Sequence, residues 1–161
     1  MPQPSSPAYR FGDLLALARE YWVRSMAERL AHAGYDDYRR TDPALVRLLA
    51  GRPRSIGQIG GALRVSRQAA RKLVAGLERR GYASTTRDER DARHLNVDLT
   101  PRGTAYARAV IDAIDGLNRQ LAERVDAEQL LAADAVLRAT LPDQPARDHV
   151  ARLVPLPPSD S

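Results

Sequence analysis

The sequence predicts a mainly α chain carrying one small β-hairpin. Three observations lead there. Apolar residues recur at three- and four-residue steps through most of the chain, the repeat of one helix face. That period gives way to strict alternation at one place, where Leu95, Val97 and Leu99 are separated by Asn96 and Asp98. Glycines, prolines and Ser, Thr or Asp residues stand where helices would stop and start.

Residues 1–8 are rich in proline and serine and are expected to form a disordered tail. Phe11, Leu15, Ala18, Trp22, Met26 and Leu30 then mark one long helix, with Gly34 as its stop. That helix and the polar stretch after it make up a segment 9–40. Thr41-Asp42-Pro43 opens a second helix, with proline in the first turn, where its missing N–H costs little. Ala44, Leu45, Leu48 and Leu49 give it an apolar face, and Arg52-Pro53-Arg54 breaks the chain after it. Ser55 caps a short helix over 56–63. Gly57, Gly60 and Gly61 each weaken that helix by up to ~1 kcal/mol against alanine, so packing through Ile56, Ile59 and Leu63 must hold it. Arg64-Val65 is a tight connection, Ser66 caps the next helix over 67–80, and Gly81 ends it. Tyr82–Arg87 reads as a strand, 88–93 as a charged turn, and Leu95–Leu99 as the returning strand. Thr100-Pro101 starts a helix with a single apolar seam, Tyr106, Val110, Ala113, Leu117, Leu121 and Val125. Asp126 caps a last helix bearing Leu130, Leu131, Leu137 and Leu141, which Pro142 and Pro145 end. Residues 143–161 are expected to be a partly flexible extension.

Composition narrows the function. The chain has 161 residues and no cysteine, so disulfides, thiolate zinc sites and iron–sulfur clusters are excluded. His32, His94 and His149 share no ligand-like spacing, so no metal and no cofactor is expected. No phosphate-binding glycine loop, nucleophile elbow or zinc-protease motif is present, and no enzyme activity is expected. An N-terminus without a basic start and apolar stretch, and the lack of any long apolar run, lead to the expectation of a cytoplasmic protein with no membrane partner. The net charge of +5 is unevenly spread. Residues 39–102 hold 15 basic and 6 acidic residues, while the rest of the chain is net negative. A basic centre between acidic flanks is the asymmetry of a polyanion-binding module carried by other structure.

A short helix, a tight turn and a polar-faced helix make a helix-turn-helix, and the charged hairpin after it makes a winged version. The predicted fold is therefore a winged helix-turn-helix, residues 41–100, flanked by N- and C-terminal helices, the latter over 101–142. A helix ~10–12 Å across fits the ~12 Å major groove of B-DNA, with its N-terminal side chains at the base edges. Ser66, Arg67, Gln68, Arg71 and Lys72 supply the donors for that task. Arg54, Ser55 and Arg64 are the candidate flanking contacts, and the wing, 87–94, with Arg87 at its start and Arg90 and Arg93 at its tip, suits the negative minor groove. Arg79 and Arg80, at the helix end, are assigned to the helix dipole and the phosphate backbone rather than to bases.

The residues Val65-Ser66-Arg67-Gln68-Ala69-Ala70-Arg71-Lys72-Leu73-Val74, then Leu77-Glu78-Arg79-Arg80-Gly81-Tyr82, resemble the multiple-antibiotic-resistance regulator (MarR) family of bacterial winged-helix transcription regulators. The resemblance continues through Asp91-Ala92-Arg93 and Val97-Asp98-Leu99-Thr100-Pro101-Arg102-Gly103. It implies a sequence-specific DNA-binding repressor in which Asp91 braces the wing and Arg93 enters the minor groove. Ala92 departs from the pattern, since the family usually has an arginine there, as do the three glycines of the helix before the turn. The family also implies a homodimer with interleaved first and last helices. The residues agree, because the seams at 11–30, 106–125 and 130–141 exceed what a winged helix of this size can cover. A two-fold dimer sets its recognition helices one DNA turn apart, ~34–36 Å, and calls for a near-palindromic double-stranded site. The resemblance further implies a small aromatic or phenolic effector, for which Trp22, His32, Tyr35 and Tyr38 are the candidate contacts. The competing function is a non-specific or RNA-binding module without effector response. Its one motif is the Gly-x-x-Gly of Gly57-Gln58-Ile59-Gly60, which lacks the basic residue an RNA-clamping loop uses.

Overall fold

A computed structural model describes residues 10–87 and 95–141. The described residues form six helices and a three-stranded antiparallel sheet. In chain order they are α1 (Phe11–His32), α2 (Asp42–Ala50), β1 (Arg54–Ser55), α3 (Ile56–Leu63), α4 (Arg67–Arg79), β2 (Ala83–Arg87), β3 (Leu95–Leu99), α5 (Pro101–Ala122) and α6 (Ala127–Ala139). This is the winged helix-turn-helix with flanking helices that the periodicity predicts. The terminal stretches 1–8 and 143–161, and Arg90, Asp91 and Arg93 of the turn, lie outside the described residues.

One expectation is corrected at Arg54. The stretch Arg52-Pro53-Arg54 reads as a break, yet Arg54 and Ser55 form β1, paired with Val97 and Asn96. Two residues carry no alternation to read; only pairing with β3 makes them a strand. The sheet order is β1-β3-β2, with Thr85 opposite Val97 on the other side. Val97 is the central, fully buried side chain of this sheet, but the expected alternation does not extend along β3: Leu95 is exposed and Leu99 is no better covered than Asn96 and Asp98.

The turn between α3 and α4 is built from local chemistry. The Ser55 hydroxyl accepts the Gln58 N–H and the Gln58 side chain accepts the Ser55 N–H, a reciprocal capping box that offsets the weak glycine-rich helix. Gly57 and Gly60 thus lie inside a helix and form no RNA-clamping loop. Gly60 has a packing reason, since a Cβ there would stand 3.1 Å from the Val65 carbonyl oxygen. Arg64 then takes a left-handed conformation, φ 54°, to end α3 and turn the chain. Ser66 accepts the Ala69 N–H and starts α4.

The core joins Met26 and Leu30 of α1, Leu45, Val46 and Leu49 of α2, Ile59 of α3, Ala70, Val74 and Leu77 of α4, and Tyr106, Val110 and Leu117 of α5. Each large apolar side chain buried there contributes roughly 1.5–3 kcal/mol. The core stops short at both ends. The N-terminal half of α1 buries nothing, and Leu17 is 65% exposed. No residue of α6 is buried, and Leu131 is 71% exposed. Among the described residues no helix is long and apolar enough to cross a membrane.

Candidate nucleic-acid interface

α4 turns Ala70, Val74 and Leu77 into the core and leaves Arg67, Gln68, Arg71 and Lys72 exposed. At 3.6 residues per turn those four lie on an arc of roughly 140° over the first two turns. There is no acidic residue in the first turn. Cations at the positive end of a helix dipole are locally unfavourable by about 0.3–1 kcal/mol, whereas an anion is favoured there. The remaining candidates are less uniform. Arg64 stands exposed at the turn and Arg87 at the end of β2. Arg54 is half-buried and its Nε donates to the Leu48 carbonyl at 3.2 Å. Ser55 and Ser66 both spend their hydroxyl lone pairs on caps, which leaves the O–H protons as donors. The Thr85 hydroxyl donates to the Glu78 carboxylate at 2.6 Å and ties β2 to α4.

Arg80 is the second correction. Its Nε does donate to the Gly76 carbonyl at the C-terminal end of α4, as the dipole assignment expects, but the guanidinium is turned inward rather than toward a phosphate backbone. Its two terminal nitrogens donate to both oxygens of Asp42 at 2.8 and 2.9 Å, with side chains only 10% and 3% exposed. The same Asp42 oxygen accepts the Tyr106 hydroxyl at 2.8 Å. Arg80 is raised by its hydrogen bond to Asp42, against the opposing effect of burial. Tyr106 is raised by burial first and then by the bond to Asp42, so it stays a phenol donor. Arg79, beside it in sequence, remains exposed. Asp42 was unmarked in the sequence because an aspartate beside a helix-opening proline is ordinary, and its partners lie 38 and 64 residues away.

The four aromatic candidates for an effector separate. Trp22 and Tyr38 line one cleft of about 550 Å³ between α1, α2 and α5, within the usual range for small-ligand sites. Tyr35 instead packs in an aromatic cluster, its ring 5.0 Å from that of Tyr106 and tilted 47° to it. His32 sits exposed at the end of α1 and donates through Nδ1 to the Glu28 carbonyl at 2.7 Å. Sequence reasoning missed the cleft's charge. Arg19, Arg40 and Arg47 line it together with Val23, Met26 and Ile114, and no carboxylate of the described residues does. Burial lowers the pKa of Arg47 and raises that of Tyr38. The spacing of Arg19 and Trp22 on one face of α1 was the one signal available for this set. Among the described residues no cluster of His, Asp or Glu is arranged to hold a metal ion.

Comparison with known proteins finds a family match over the central segment alone. The model of the MarR family matches residues 38–94. The chain is similar in structure to a probable transcriptional regulator from Pseudomonas aeruginosa, at 24% identity and TM-score 0.64, covering 81% of this chain and 96% of that one. It is similar to S. aureus MepR in complex with DNA, at 19% identity and TM-score 0.69, covering 81% and 96%. It is also similar to the heme sensor protein PefR from Streptococcus agalactiae, in complex with heme, at 21% identity and TM-score 0.65, covering 84% and 91%. At these identities the likeness carries the fold. No curated protein matches the chain significantly.

Proposed function

We propose that this chain, a MarR-family winged helix over residues 38–94, is a homodimeric repressor that reads a near-palindromic double-stranded DNA site. The observation that carries this reading is the cationic, acid-free first half of α4, with Arg67, Gln68, Arg71 and Lys72 exposed together. α4 lies in the major groove, where Arg71 and Gln68 have the donors that suit guanine and adenine. Arg64, Arg54, Ser55 and Ser66 contact phosphates beside it, and Arg67 and Lys72 neutralise charge. Arg87, Arg90 and Arg93 follow the wing into the minor groove, with Asp91 bracing it. MepR, a relative in fold, has been seen with DNA, which supports the reading. The uncovered apolar faces of α1 and α6 support a second copy. Binding-site selection from a random duplex library tests it. The expected product is a two-fold repeat of one half-site about one turn apart; enrichment of no sequence would leave only a non-specific module.

The Trp22–Tyr38 cleft is the effector site in this reading, and its three arginines favour an aromatic carboxylate. Such a ligand releases DNA only if it binds the released arrangement more tightly than the DNA-bound one. Trp22 is the single tryptophan of the chain, so its fluorescence reports the cleft directly. A panel of aromatic carboxylates is expected to quench it saturably, and Arg47→Ala to weaken that quenching by about tenfold or more, as for a lost charged hydrogen bond. Quenching that never saturates would remove the effector from this cleft.

A further inference from the structure

We infer that Asp42, Arg80 and Tyr106 form a positioning device that holds the recognition helix at one angle to the dimer-forming helices; the inference rests on the regulator reading above. The main body of α4 packs on α3 and β2, whereas α5 packs on α1, α2 and β3. The orientation of α4 relative to α5 is therefore set largely at the C-terminal end of α4. There Arg80 donates to both oxygens of Asp42, to the Asp37 carbonyl at 3.0 Å and to the Gly76 carbonyl at 2.8 Å. Asp42 also accepts the Arg39 N–H at 2.9 Å and the Tyr106 hydroxyl. One carboxylate thus ties α4, α2 and α5 together.

The joint is stiffened from the other side. Tyr82 stacks on Tyr106 with ring centres 4.3 Å apart and donates its hydroxyl to Asp37 at 2.7 Å. The Thr100 hydroxyl donates to the Gly81 carbonyl at 2.6 Å, and a Cβ at Gly103 would stand 1.7 Å from the Tyr82 carbonyl oxygen. The turn after α4 therefore lies directly on the first turn of α5. A buried ion pair adds little stability over well-packed apolar residues. A bidentate guanidinium–carboxylate pair adds direction, because both planar groups must face one another. In a two-fold dimer an angular error at this joint is doubled between the two recognition helices, so half-site spacing is what the joint controls.

The test compares wild type with Arg80→Lys, which keeps the charge and loses the fork, and with Tyr106→Phe, which loses one hydroxyl and keeps the stack. Duplexes are the palindrome that wild type selects, the same with one base pair removed or with one or two added between half-sites, and a single half-site. On the best palindrome Arg80→Lys is expected to lose about tenfold in affinity and Tyr106→Phe about threefold, the size of a weakened charged hydrogen bond. Single half-site affinity stays within about twofold of wild type, and the discrimination between spacings shrinks, since only the geometry between half-sites has changed. Half-site binding that falls in step with full-site binding, or a spacing profile unchanged in both folded variants, overturns the inference. Tyr106→Phe carries the test alone if Arg80→Lys does not fold. Selection of no palindrome by wild type overturns the regulator reading instead, and the inference with it.

Discussion

α4 and α6 are both 13-residue helices, each started by a side-chain cap, yet the chain uses them in opposite ways. α4 buries Ala70, Val74, Gly76 and Leu77 and presents its cations outward. α6 buries nothing, and Leu131, Val136 and Leu137 stand in solvent. One helix has its apolar face met within the described residues and has charge to offer; the other has an apolar face that the described residues do not cover. The comparison teaches that solvent exposure means different things at the two places. On α4 it points to a polyanion, and on α6, with the exposed N-terminal half of α1, to a second protein surface.

The largest expected effect comes from breaking the α6 side. Leu131→Arg combined with Leu137→Arg is expected to give a monomer by sedimentation. Loss of the linked second half-site then lowers affinity for the full palindrome by about 10²–10⁴-fold. A dimer that survives both substitutions would remove α6 from the interface and break the contrast. On the α4 side, Arg71→Ala is expected to cost about 1–3 kcal/mol at the selected site, and much less on unrelated duplex, if Arg71 reads a base. An equal loss on every duplex in an anisotropy titration would make it a phosphate contact and blunt the comparison to charge alone. The smallest effect sharpens it. Ser66→Ala removes the cap of α4 and is expected to lower stability by about 1 kcal/mol in urea melts. A DNA-binding loss well beyond that stability change would add a phosphate bond from the Ser66 hydroxyl to its capping role.

Legibility in the sequence followed the range of the interactions. The caps Ser55, Ser66, Thr100 and Asp126 were readable because each bonds a backbone N–H three residues on. The cationic arc of α4 was readable because helix geometry alone puts those side chains together. The strand β1 was not, since two residues have no period, and pairing with β3 some 40 residues later made it. Arg79 and Arg80 show the limit most clearly. They are adjacent and identical in type, and one faces solvent while the other closes a buried ion pair. The effector candidates divided for the same reason. Tyr35 and Tyr38 are three residues apart, and one packs at a tilt against Tyr106 while the other reaches the cleft.

By itself the sequence determined the order of the helices and the β2–β3 hairpin, the helix starts, the turn between α3 and α4 and the face of α4 that carries charge. These depend on hydrogen bonds and side-chain periods within a few residues. Only the tertiary structure decided which arginine faces solvent and which closes an ion pair, which aromatic residues share a cleft, and which apolar seams the described residues leave exposed. Those outcomes depend on desolvation and on partners brought together from distant parts of the chain, and neither is a local property of a residue.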